Sequence, residues 1–200
     1  MHTTIPKSRP GAYSISMSRN WFVAWPVENA TEWLTALAAD APVGVTFLDP
    51  ADLHVTLAFL ATHTDAAEKK LAGILRGLPP TGVDVTPGPF LALPQPRRFS
   101  ELVATIDTGR LELEKQIAKW RPRLCREVGA QLDPRAPVPH ITLARPDRRI
   151  TNDERDLALA WIDSRPRDET PLRLARPTIY RWSDTKDSRR YQLTELKAEN

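Results

Sequence analysis

One cysteine, Cys125, stands among the 200 residues. No internal disulfide can form, and no multi-cysteine zinc site can be built. Such thiol usage fits a reducing compartment. No apolar run approaches the ~20 residues that span a bilayer, so no membrane association is expected. Residues 1–18 lack the continuous apolar core of a secretory signal and carry Pro6, Pro10 and Gly11 instead. They read as a flexible leader, with Met17 as an alternative start. Neither a P-loop nor G-x-G-x-x-G occurs, which leaves no signature for ATP or NAD use. There is no G-x-S-x-G nucleophile elbow. H-E-x-x-H is also missing, and the histidines lack an obvious carboxylate partner at ligand spacing. No cofactor and no metal are expected.

What remains is an ordinary soluble composition. The chain is 41% hydrophobic and 26% charged, enough for one domain or two tightly joined lobes. It is mildly basic, with net charge +3. Arg outnumbers Lys by 21 to 7. Guanidinium suits phosphate, although a GC-rich genome produces the same bias.

Against this background one word stands out because it occurs twice. His54-Val55-Thr56-Leu57-Ala58 is matched, 86 positions on, by His140-Ile141-Thr142-Leu143-Ala144. With 18 Thr and 23 Leu in 200 residues, a given His heads H-x-T-L by chance about once in a hundred. Two of the four histidines do so. Side chains alternate faces along a strand, so in each copy the His and the Thr share a face.

The surrounding pattern places both words on strands. Strands are expected at 21–26, 43–48, 52–60, 101–107, 140–145, 172–174, 178–182 and 189–196, with an extended, proline-marked stretch at 83–93. Residues 183–188 form the turn between the last two strands, and Pro79-Pro80-Thr81-Gly82 another turn. Helices are expected from Asn29 or Thr31 to Ala38, from Thr64 or Asp65 to Arg76, from Arg110 to Val128, and from Asn152 or Asp153 to Trp161. Pro122 should kink or split the third, and Gly129 should stop it. Leu53, Val55, Leu57 and Phe59 form the packing face of the first motif strand, and His54, Thr56 and Ala58 the other. Hairpin-like neighbours make the sheets largely antiparallel, so the fold class is α+β. Each motif strand precedes a helix, like two halves of a degenerate duplication. Residues 19–200 are therefore read as one bilobal domain.

Imidazole titrates near neutrality, so one ring can take a proton while another gives one. Cleaving a phosphodiester needs both acts, on opposite sides of phosphorus. His54 and His140 are the candidate pair. Thr56 and Thr142 can donate hydroxyl hydrogen bonds to non-bridging oxygens. Such chemistry requires no metal. His2 and His63 are better read as ordinary structural residues. Trp21, Trp33, Trp120 and Trp161 belong to core patterns. Trp25, Tyr180 and Trp182 fall near strand ends, where a ring either packs or stacks on a base. Of these, Tyr180 is kept as a substrate-binding candidate.

At these residues the chain resembles the 2H phosphoesterase superfamily, named for two H-x-[ST]-x motifs. It looks most like the LigT-type RNA 2′,3′-cyclic phosphodiesterases, also called the 2′-5′ RNA ligase family. The resemblance covers about residues 20–196. It is carried by Trp21-Phe22-Val23-Ala24, by Leu53 to Leu60, by His140 to Arg145 with its trailing arginine, and by the closing stretch from Tyr180 to Tyr191. It implies a bilobal α+β fold of two mainly antiparallel sheets with flanking helices, its duplicated lobes related by a pseudo-twofold around a central cleft. It also implies metal-free hydrolysis of a 2′,3′-cyclic phosphate to a 2′-phosphate. In that scheme His140 activates water, His54 protonates the departing 3′ oxygen, and Thr56 and Thr142 hold the phosphate. Arg145 is the further substrate-binding candidate. It has the wrong parity for an ideal strand and reaches the phosphate only if the strand ends or bulges there; otherwise it faces solvent. Where the family often has Gly after Phe-Leu, this chain has Ala61.

The expected protein is a cytoplasmic monomer that acts on RNA or nucleotide ends bearing a cyclic phosphate. Two rival readings remain. One keeps the chemistry and changes the substrate, to 2′-5′ linkages cleaved or joined, or to another cyclic nucleotide. The other is a non-catalytic binder of RNA ends.

Overall fold

A computed structural model describes residues 20–62, 64–78, 82–183 and 190–194. The leader with His2, His63, most of the Pro79–Gly82 turn and most of the 183–188 turn lie outside these residues. The elements in chain order are β1 (Asn20–Glu28), α1 (Thr31–Ala38), β2 (Val45–Phe47), β3 (His54–Thr62) and α2 (Asp65–Arg76). Then come β4 (Val83–Val85), β5 (Pro87–Leu93), β6 (Glu101–Ile106) and α3 (Arg110–Val128). The last are β7 (His140–Pro146), α4 (Asn152–Asp163), β8 (Leu172–Leu174), β9 (Thr178–Trp182) and β10 (Tyr191–Thr194). The fold is α+β.

Local chemistry explains most of the boundaries. Thr64 caps α2 by accepting from the Ala67 N–H. The helix after β7 is capped by Thr151, one residue earlier than expected, and Thr151 and Glu154 close a reciprocal capping box. Gly129 ends α3 in the left-handed conformation, φ 68°. Pro122 does not split α3, which runs unbroken through it. The 83–93 stretch is two strands because Thr86 parts them: β4 pairs with β8, and β5 with β6.

Among the described residues the strands form two antiparallel ladder sets that link through β1. The main path is β10-β9-β1-β3-β7-β6-β5, with β2 beside β7 and the β4–β8 pair against the end of β1. Every ladder is antiparallel. The two motif strands are neighbours at the middle of this path, joined at the single pair Val55–Ile141.

The two faces of the sheet differ sharply. All four helices contribute to one large apolar core with Trp21, Val23, Val55, Leu57, Ile141 and Leu143. The other face carries a small cluster of Phe22, Ala24, Tyr180 and Tyr191. Because Val55 and Ile141 point into the main core, alternation turns His54, Thr56, His140 and Thr142 to the opposite face. No helix among the described residues is long and apolar enough to cross a membrane.

Candidate active site

The register fixes how the four motif side chains sit. Val55 lies opposite Ile141. One step to either side, His54 falls opposite Thr142, and Thr56 opposite His140. The imidazoles therefore occupy diagonal corners of one patch, and the hydroxyls the other two. Diagonal neighbours of this kind lie about 7–8 Å apart, with Cβ atoms somewhat closer, a span two ring nitrogens can close around one phosphate.

Both rings are held in the same way. His54 Nδ1 lies 2.7 Å from the Asp52 carbonyl oxygen, and His140 Nδ1 lies 2.7 Å from that of Val138. A carbonyl can only accept, so Nδ1 carries the hydrogen in each ring. When neutral, each ring therefore presents an Nε2 lone pair. The partner is a main-chain atom two residues back in both motifs, so its side chain is free to differ.

His54 is set in an aromatic box. Its ring centroid lies 4.8 Å from Phe22, 5.0 Å from Tyr180 and 5.4 Å from Tyr191. Burial there pushes its pKa down from 6.5 to about 4, against the opposing pull of the Asp52 carbonyl. The Arg145 charge also disfavours the imidazolium and the Glu101 charge favours it. His54 is thus neutral near pH 7 in the free protein. As pH falls below 6.5, the unfolded chain takes up a proton here that the native state refuses until about pH 4. Stability should accordingly drop by about 2 kcal/mol between pH 7.5 and 5. Urea unfolding of the wild type and His54→Gln at both pH values checks this, since the variant should lose that component.

Tyr180, the expected substrate-binding aromatic, packs within the small cluster of Phe22, Ala24 and Tyr191. It is fully buried and stacks on Phe22 at 4.9 Å. Its ring is tilted against that of His54 by 43°. The exposed ring near this end is Trp182, 5.1 Å from Tyr191.

Arg145 does reach the motif face. The β6–β7 register slips between Leu102–Ala144 and Val103–Thr142, which leaves Leu143 as an extra residue. That bulge restores the parity that an ideal strand denies Arg145. Thr142 Oγ1 donates to Glu101 Oε2 at 3.1 Å, and Arg145 Nη2 donates to Glu101 Oε1 at 3.0 Å. The guanidinium also sits 6.0 Å from the Trp182 ring centroid.

The first motif has the same device. The β1–β3 register slips between Val23–Ala58 and Ala24–Thr56, and Leu57 is the extra residue. Phe59, expected on the packing face, is turned out by it. It lies 68% exposed, with its ring 5.8 Å from Phe22. Each bulge falls three residues after its histidine, and each presents the fifth residue after it, Phe59 or Arg145.

Beside Thr56 and His140 opens a cavity of about 420 Å³, mostly apolar, walled by Phe59, Leu93, Ile117 and Val138. His54 and Thr142 are not part of its wall. Among the described residues, no three His, Cys, Asp or Glu side chains gather as a metal site.

No family model matches the sequence, and no curated protein does. Solved structures do match. Escherichia coli LigT complexed with 3′-AMP superposes with a TM-score of 0.66 at 20% identity, over 88% of this chain and 95% of that one. LigT complexed with NADP+ gives 0.65, also at 20%, over 89% and 95%. This chain has the LigT fold. TT0787 of Thermus thermophilus shares it more loosely, with a TM-score of 0.53 at 17% identity over 88% and 95%.

Within this LigT-like frame, sequence reasoning missed Glu101, Phe22, Tyr191 and Phe59. Phe22, Phe59 and Tyr191 lie inside the segments that carry the family resemblance, so position marked them although function did not. Glu101 gave no local signal. Its contacts are 41 and 44 residues away and exist only through the β6–β7 pairing.

Proposed function

We propose that this chain is a 2H phosphoesterase that opens 2′,3′-cyclic phosphates at RNA or nucleotide ends to 2′-phosphates, with no metal. The observation that carries the reading is the diagonal arrangement. Two imidazoles with Nδ1 already committed to carbonyls flank one patch, and two hydroxyls fill its remaining corners. Water oxygen bonds to phosphorus as the bond from phosphorus to O3′ breaks. One ring takes the proton from water, and the other delivers one to O3′. The resemblance assigns water to His140 and O3′ to His54; His54, neutral in the free protein, acts as acid only once the bound phosphate anion beside it draws a proton onto Nε2. The hydroxyls of Thr56 and Thr142, with the Arg145 guanidinium, stabilise charge growing on the non-bridging oxygens. The nucleotides held by the LigT structures support a nucleotide end as substrate.

The test is direct. Purified protein in excess EDTA should convert a nucleoside 2′,3′-cyclic phosphate to the 2′-monophosphate, with chromatography separating it from the 3′ isomer. Activity abolished by EDTA and restored by a divalent cation would overturn the metal-free reading. Saturable binding without turnover would favour a non-catalytic RNA-end binder.

A further inference from the structure

The two donors best placed to grip phosphate, Thr142 and Arg145, are both bound to the Glu101 carboxylate, at 3.1 and 3.0 Å. A site built only for grip would leave them free. Here a full negative charge stands within hydrogen-bond distance of the groups that would receive the substrate anion. It is 27% exposed, as Arg145 is 28% exposed, so solvent screens it only in part.

Resting on the cyclic-phosphate reading, we propose that Glu101 is a specificity-determining residue that favours the singly charged cyclic diester over the doubly charged monoester it becomes. Coulomb energy scales with the product of the charges. A carboxylate that weakens monoanion binding by some factor weakens dianion binding, at the same position, by about its square. A cyclic phosphodiester carries one negative charge at any pH near neutrality. A phosphomonoester has a second pKa near ~6 and carries almost two at pH 8. Glu101 therefore penalises product more than substrate, and hydrolysis itself weakens the site's hold on the phosphate. Arg145 keeps a second contact at the Trp182 ring, so the guanidinium retains a support while the carboxylate yields to substrate.

The experiment compares KM for a nucleoside 2′,3′-cyclic phosphate with Ki for the matching 2′-monophosphate, at pH 8 and low salt. In E101Q, the cyclic diester should bind about threefold tighter and the monophosphate about tenfold tighter. E101D keeps the charge and should keep the wild-type ratio. Equal tightening of both ligands in E101Q, or weakening of both, overturns the proposal. So does a wild-type protein that binds the monophosphate more tightly than the diester, a result that needs no variant to fold. Lack of any turnover by wild type overturns the parent reading. Turnover with an unchanged ratio in E101Q overturns this inference alone.

Discussion

Replacing His140 by Ala should lower kcat/KM for a nucleoside 2′,3′-cyclic phosphate by about 10²–10⁴-fold, and His54→Ala should do the same. Each ring handles one proton, and the reaction needs both transfers. Once either is lost the other cannot compensate, so the double variant should be about as slow as the slower single one. The two singles differ in structural cost. His140 is half-buried at the start of β7, and its removal should leave the fold intact. His54 fills the box of Phe22, Tyr180 and Tyr191, so His54→Gln is the fairer probe there. Circular dichroism before assay separates collapse from lost chemistry. The wild-type profile of kcat/KM against pH should be bell-shaped. The limb that vanishes in each variant shows which ring titrates on that limb. Full activity in either variant removes that histidine from the mechanism.

The sequence made the framework legible because its signals were periodic or local. The motif strands showed as alternation, and the helices as caps and apolar stripes. A strand's period of two was enough to put His54 with Thr56 and His140 with Thr142. The same rule misplaced Phe59, and it left Arg145 undecided. Both errors have one physical cause. A bulge adds a residue that no pattern records, and it reverses the parity of everything beyond it. Tyr180 is ambiguous in sequence for a different reason. A strand-end aromatic looks the same whether it stacks on a base or on a neighbouring ring, and the stacking of Tyr180 on Phe22 shows only in three dimensions. Glu101 was invisible because a carboxylate opening a strand is ordinary until the partner strand puts Thr142 and Arg145 against it.

Arg145→Ala should reduce kcat/KM by about 10²–10³-fold, the range typical of losing one donor to a developing oxyanion. Part of that loss is not the missing guanidinium. Arg145 and Glu101 form a pair at 3.0 Å, and truncating the cation leaves the carboxylate unopposed beside the phosphate position. The single variant thus combines lost attraction with uncovered repulsion. Adding E101Q to Arg145→Ala removes the second component and should restore about three- to tenfold of the activity. Arg145→Lys should fall between wild type and Ala, because an ammonium keeps the charge but not the two-pronged geometry that can hold Glu101 or a phosphate. High salt should narrow the gap between Arg145→Ala and the double variant, since screening weakens the same repulsion. If Arg145→Ala turns over at the wild-type rate, the guanidinium serves only Glu101 and Trp182, and the bulge at Leu143 delivers it to a surface ion pair rather than to the substrate.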